Sequence, residues 1–378
     1  MTIYLDCNAT APMEHEVAEV VRHYMEIEYG NAGSRTHEFG QRAAEAVKIA
    51  RQHIANVVKA DSADVIFTSG ATESINLAIF GLSEFGLSTG KRHIISTSIE
   101  HKAVLESLDE MKRRGFEITL IPPTSGGYVD PLAIRDGLRD DTLLVAVMQV
   151  NNETGVIQPI SEIAAELKDH SAYFLVDAAQ GFGKELPSLR DRRIDLLAVS
   201  SHKIYGPKGV GAFVTRTRGS YNRAPLRPIM FGGGQERGLR PGTLPVALIA
   251  GFGKAAELAL RNNETRRTIC QEFRDQLLTE LAALPYTLIG DQSRTVPHTV
   301  SLALQGLNSE AAMLALKGLI AISNGSACTS ASYSPSHVLL AMGLDQQQAR
   351  SALRFSWSHM TAPPDWHAIR TALRSMTE

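Results

Sequence analysis

The sequence predicts an α/β fold: a mostly parallel sheet with helices on both faces, followed by a smaller α+β unit. Three observations carry this. Helical and strand-like patterns alternate over about the first 250 residues, and the strand-like runs are apolar on both sides. A break rich in Gly and Pro, Gly232-Gly233-Gly234 and then Arg240-Pro241-Gly242-Thr243, separates them from a region of different pattern.

The elements follow in order. Val17, Val20, Val21 and Tyr24 recur at helical spacing, as do Val47, Ala50, Ile54 and Val57. Short runs rich in β-branched residues then read as strands: 64–68, 93–97, 142–147, 173–177, 195–200 and 211–215. From Pro245 to about residue 284 the spacing predicts one long helix. The remainder reads as strands at 286–289, 298–304 and 353–356, with a helix from Asn308. In a parallel sheet of this kind ligands bind at the carboxyl ends of the strands.

Composition narrows the function. The 378 residues carry 38 Lys+Arg against 40 Asp+Glu, a net charge of -2, so no global positive field draws nucleic acid or an anionic membrane. No apolar run approaches the roughly 18 residues of a membrane span, and the first residues lack the pattern of a signal peptide. Three scattered cysteines, Cys7, Cys270 and Cys328, make no disulfide framework. The expectation is a cytoplasmic protein with reduced thiols and no direct nucleic-acid or membrane binding.

Five strand ends carry polar residues that a core does not need. Gly70-Ala71-Thr72 opens a helix after a strand, a seat for a phosphate or an ordinary N-cap. Asp177, followed by Gln180, closes an apolar strand, where a carboxylate needs a cation, donors or a capping role. Lys203, after Ser200 and His202 and before the turn Gly206-Pro207-Lys208-Gly209, is placed to be a desolvated amine able to condense with an aldehyde. His101 follows a strand and opens a helix, and Asn152 lies in the turn Asn151-Asn152-Glu153-Thr154-Gly155. Together these types meet the needs of pyridoxal phosphate: an amine, a carboxylate for the ring nitrogen, a phosphate cup, a flat side chain and a donor for the phenolic oxygen. Cys328 stands in Ser323-Asn324-Gly325-Ser326-Ala327-Cys328-Thr329-Ser330, a run of small polar residues that reads as a mobile exposed loop. Cys270 reads as a helix packing residue and Cys7 as structural or incidental.

These segments resemble the pyridoxal-phosphate-dependent cysteine desulfurases of the NifS/IscS type, in the class V aminotransferase group. The resemblance runs over nearly the whole chain. It is carried by Tyr4-Leu5-Asp6-Cys7-Asn8-Ala9-Thr10-Ala11-Pro12, Phe67-Thr68-Ser69-Gly70-Ala71-Thr72-Glu73-Ser74, Glu100-His101-Lys102-Ala103-Val104, Val150-Asn151-Asn152-Glu153-Thr154-Gly155, Ser201-His202-Lys203-Ile204-Tyr205-Gly206-Pro207-Lys208-Gly209 and Gly325-Ser326-Ala327-Cys328-Thr329-Ser330. The last run resembles the group with a long catalytic loop.

The resemblance implies a fold type I transferase with a mostly parallel seven-stranded sheet. It places a large cofactor domain at 15–255 and a small domain at 1–14 and 256–378 that carries the cysteine loop. Lys203 would hold pyridoxal 5'-phosphate covalently, Asp177 would pair with its ring nitrogen, and Gln180 would meet its phenolic oxygen. His101 would lie on the ring and move protons. Ala71, Thr72, Ser200 and His202 would bind the phosphate, joined by Thr243 from the partner subunit of a homodimer. Asn152 and Arg354 would hold the carboxylate of L-cysteine, Asn152 also lying against the cofactor. Cys328 would take the sulfur as a persulfide and pass it to a protein acceptor; no metal is implied. The departures are Cys7 where many relatives have tyrosine or asparagine, Gln235 where the housekeeping type commonly has histidine, and an end at Glu378, soon after Trp366. The short end leaves a dedicated acceptor open beside an iron–sulfur scaffold, in nitrogenase-type assembly, tRNA thiolation or DNA phosphorothioation. An aminotransferase or selenocysteine lyase would share Lys203 and Asp177 without needing Cys328.

Overall fold

The computed structural model describes residues 2–218, 223–325 and 335–376. Its central sheet has seven strands, lying side by side in the order Val65–Thr68, Gly211–Thr215, Leu196–Ser200, Tyr173–Asp177, Thr142–Met148, His93–Thr97 and Glu117–Ile121. Gly211–Thr215 is antiparallel to both neighbours, and every other pairing is parallel. Strand alternation sorts the apolar side chains onto two faces. Phe67, Val145, Val147, Phe174, Val176, Val199 and Val214 face one core. Ile66, Leu144, Ala146, Leu175, Ala198 and Phe213 face the other. Helices His15–Glu26, Glu38–Val58 and Val246–Arg261 cover the first face; Ala71–Gly81 and Lys102–Arg113 cover the second.

A separate core forms around a three-stranded antiparallel sheet of Ala352–Ser356, Thr299–Leu304 and Tyr286–Leu288. Phe273, Leu302, Phe355, Trp357 and Trp366 fill it, together with Leu5 from the other end of the chain. The N-terminal segment joins that unit: Ile3–Tyr4 pairs in parallel with Ile320–Ala321, and Asp6 bridges to Ser356.

Two expectations change. The single long helix is two, Val246–Arg261 and Asn263–Leu281, broken at Asn262, whose φ of -108° and ψ of 15° leave the helical region. Asparagine competes for the backbone through its own amide, and here the Asn263 side chain donates to the carbonyls of Gly183 and Lys184. The edge strand Glu117–Ile121, with its mixed exposure, lacks the continuous apolar run of its neighbours and was not among the strands expected from residue pattern.

One close approach sets the shape of the sheet's carboxyl end. A Cβ built on Gly211 would lie 2.5 Å from the Val199 carbonyl oxygen and 2.6 Å from the Gly70 Cα. Both obstacles are backbone, so neither can swing aside. Gly211→Ala is expected to push Gly70 and the helix start away from the sheet, costing about 1–3 kcal/mol of stability. Urea unfolding at equilibrium measures this, and an unchanged midpoint would contradict it.

Candidate active site

The carboxyl ends of the central strands open into a cavity of about 580 Å³. Asp177 ends one strand and Ser200 the next; Lys203 follows in the turn Ser201–Lys203. His101, Asn152, Gln180, His202, Ala71, Thr72 and Arg354 line the same space. Ten residues expected at the site thus meet in one cavity, from segments as far apart in sequence as 71 and 354.

Lys203 is held by the N-terminal segment. Its Nζ donates to the backbone carbonyls of Asn8 and, at 2.7 Å, Ala9. Burial, with the positive charges of Lys184 and Arg354, pulls its pKa from 10.5 to about 7. At neutral pH a large share of the amine is therefore unprotonated and nucleophilic. Burial drives Asp177 in the opposite sense, above the usual carboxylate range, against the amide of Ala179, which donates to its Oδ1 at 2.9 Å. His202 is lowered to about 4 by burial and by three neighbouring lysines, so its ring is neutral; its Nδ1 lies 3.1 Å from the Thr10 hydroxyl.

The helix Ala71–Gly81 begins at the cavity wall with Gly70 as N-cap and no side-chain capping bond. Thr72 therefore does not cap its helix, contrary to the ordinary reading of that sequence, and the amides of the first turn stay open toward the cavity. His101 does cap: its Nδ1 accepts from the Ala103 amide at 3.1 Å at the start of Lys102–Arg113. His101 thus both caps its helix and lines the cavity.

Arg354 is 1 % exposed, and its guanidinium donates to Asp6 at 2.6 Å, to the Asn152 carbonyl at 2.8 Å and to the Gly325 carbonyl at 3.3 Å. Its Nε is buried without a partner among the described residues.

Two expected residues stand apart. Thr243 lies not in this cavity but in a surface depression with Tyr24, Met25 and Tyr29. Its turn is tied down locally: Gln235 Oε1 accepts from the Gly242 amide at 2.8 Å, and Arg240 pairs with Glu73 at 2.8 Å. Cys328 lies outside the described residues. The residue pattern did not single out Asn8, Ala9 and Thr10, which hold Lys203 and His202. They stood only inside the Tyr4–Pro12 run quoted for the resemblance, and nothing local shows that this run crosses the cavity. Cys7 and Cys270 are both buried and unpaired, as packing residues should be.

The aminotransferase class-V family model matches residues 3–365. A cysteine desulfurase IscS of Vibrio cholerae is 43% identical over 364 residues, spanning 96% of this chain and 89% of that protein. The crystal structure of DndA from Streptomyces lividans superimposes with a TM-score of 0.82 at 46% identity, over 94% of this chain and 98% of that one. The chain belongs to the cysteine desulfurase family. A structure described as SspA in complex with cysteine also matches, with a TM-score of 0.83 at 34% identity over 94% of this chain and 98% of that one.

The family's cofactor is pyridoxal 5'-phosphate, and the cavity's chemistry fits it. Lys203 offers an amine depleted of its proton, and Asp177 is a buried carboxylate with no ion pair among the described residues. Gln180 donates through Nε2 to the Asn8 carbonyl at 2.9 Å, while its Oε1 is buried and unpartnered. That oxygen is an acceptor, so Gln180 serves a phenolic oxygen as the expected donor only through Nε2, which is already engaged with Asn8. The open helix start with Ser200, His202 and Lys208 around the same cavity suits a phosphate.

Proposed function

We propose that the enzyme converts L-cysteine to L-alanine and leaves the sulfur on Cys328 as a persulfide for a protein acceptor. The observation that carries this reading is the single cavity in which the proton-poor Lys203, the buried Asp177 and the guanidinium of Arg354 meet. When bound, the cofactor withdraws electrons from the substrate's α-carbon and so weakens the bond to sulfur.

The chain's residues do the rest. Lys203 would hold the cofactor through Nζ, because a large share of its amine is unprotonated at neutral pH and free to condense with an aldehyde. Asp177 holds the ring nitrogen as a cation; that cation reverses the burial penalty on the carboxylate. Ala71, Thr72, Ser200 and His202 bind the phosphate. Arg354 and Asn152 hold the substrate carboxylate, a two-pronged task for which a guanidinium is shaped; the substrate then competes with Asp6 for Arg354. His101 moves protons at the cavity wall. Cys328 thiolate attacks the substrate sulfur: an S–S bond forms, the C–S bond breaks, and its electron pair stays with the carbon, which later takes a proton. Cysteine and a thiol thus give alanine and a persulfide, and no outside oxidant is needed. The free thiols of Cys7 and Cys270 suit the reducing cytoplasm as the place of work.

A homodimer completes the picture. Thr243 lies outside its own cavity, in a depression where Met25 and Tyr29 present apolar surface to water, and Met230 and Phe231, about a dozen residues before it in sequence, are exposed too. A second copy covering that face would bring Thr243 to the neighbouring phosphate.

Cys328→Ser is the direct test of the chemistry. With L-cysteine it is expected to change the colour of the bound cofactor as the parent does, yet release sulfide at least about 100-fold more slowly. Sulfide release at the parental rate would overturn the reading. Light scattering tests the assembly: a mass of two chains is expected, and an active monomer would contradict it.

A further inference from the structure

Glu100 precedes His101 and is wholly buried. Its Oε1 accepts from the Thr97 hydroxyl at 2.7 Å and from the Met148 amide at 2.9 Å. Its Oε2 is buried with no partner among the described residues. The nearby charge that acts on it is the carboxylate of Asp177, a like charge. A buried carboxyl without a cation or further donors is far cheaper to keep protonated than ionised.

The turn that carries His101 is held from several sides. The Ser98 amide donates to the Ile121 carbonyl at 3.0 Å, and Asn151 Nδ2 donates to the Ile99 carbonyl at 3.1 Å. His337, from the helix His337–Ala341, places Nε2 3.0 Å from the Glu100 carbonyl. The Glu100 side chain adds the tie that matters most, because Thr97 and Met148 end two adjacent strands. One carboxyl fastens both strand ends to the turn.

We propose that Glu100 is a positioning residue that works as a neutral carboxylic acid, fixing His101 at the cavity wall while adding no second anion beside Asp177. Ionising it would place a second negative charge near the carboxylate that must hold the cofactor's ring nitrogen, and would leave Oε2 charged with nothing to meet it. Burial and Asp177 push its pKa up to about 8. The groups around it are Thr97 and Ser98 on one strand end, Met148 on the next, Asp177 beyond, His101 on its own turn and His337 on the packed helix; Lys203, across the cavity, titrates near 7. The folded protein keeps the Glu100 proton while the unfolded chain loses it at 4.5. Stability from this group is therefore full below pH 4.5 and is lost as pH rises toward about 8.

The test begins on the holoenzyme with ¹³C-labelled glutamate, by infrared difference spectroscopy. A protonated-carboxyl band is expected at pH 7, vanishing as pH rises through about 8 and missing from Glu100→Gln. Thermal melts should show Glu100→Gln gaining on the parent between pH 4.5 and 8. The kinetic arm rests on the desulfurase reading: Glu100→Ala should lower kcat for L-cysteine between about tenfold and a hundredfold. Glu100→Gln should recover most of that loss and show less of the parent's alkaline decline. Absence of the band in the parent at pH 7 would overturn the proposal, as would a Glu100→Gln variant with the parent's full alkaline decline. A protein with the band but no turnover of cysteine would sink the desulfurase reading and leave the neutral acid standing.

Discussion

An amine that is to lose its proton near neutrality must be taken out of water and feel cations more strongly than anions, and burial makes the largest contribution at Lys203. Its hydrogen-bond acceptors are backbone carbonyls of Asn8 and Ala9, which orient Nζ without lending it a full negative charge. Lys184 and Arg354 add positive charge. Two carboxylates act on the amine: Asp6, already paired with Arg354, and Asp177, on the neighbouring strand end, where burial resists its ionisation until a cation arrives. The cavity holds amine and acid apart in a way that a cofactor with an aldehyde and a ring nitrogen would satisfy at both ends. Parallel strands make this possible, because their carboxyl ends deliver Asp177 and Ser200 to the same side of the sheet.

The N-terminal segment links this chemistry to the second core. Leu5 is buried with Phe355 and Trp357, Asp6 pairs with Arg354, Asn8 and Ala9 hold Lys203, and Thr10 meets His202. Six consecutive residues thus run from one core into the active cavity. The pair between Asp6 and Arg354 sets a threshold for ligands: a carboxylate must match what Asp6 already gives the guanidinium, so binding selects for a group with the same charge and shape. Glu100 is the counterpart on the far wall, a carboxyl kept neutral so that its neighbour need not be.

Much of this was legible in the residue pattern, for physical reasons. Six of the seven central strands are buried on both faces and so read as unbroken apolar runs. The edge strand Glu117–Ile121 does not, since only Ile121 of its five residues is buried, whereas the other edge, Val65–Thr68, is buried throughout. Asp177, Lys203 and His101 stood out because polar groups at the ends of apolar strands need a reason to be there. Asn8, Ala9 and Thr10 could not stand out: their role belongs to backbone carbonyls and a hydroxyl nearly 200 positions from Lys203, and no local pattern encodes such a contact. The break at Asn262 was missed because helical periodicity continues across it, while the Asn263 amide answers to Gly183 and Lys184 in another part of the chain. Glu100, too, looked like an ordinary polar residue before a histidine; its meaning comes from the unpartnered oxygen and the two strand ends it joins.

The account turns on a covalent bond between Lys203 and the cofactor's aldehyde. Borohydride reduction of the holoenzyme, followed by peptide mapping, tests it most directly. The label should appear on the peptide containing Lys203 and on no other, at close to one per chain. A label on Lys184 or Lys208 instead, or none on Lys203, would contradict the assignment of the amine around which the rest of the site is arranged.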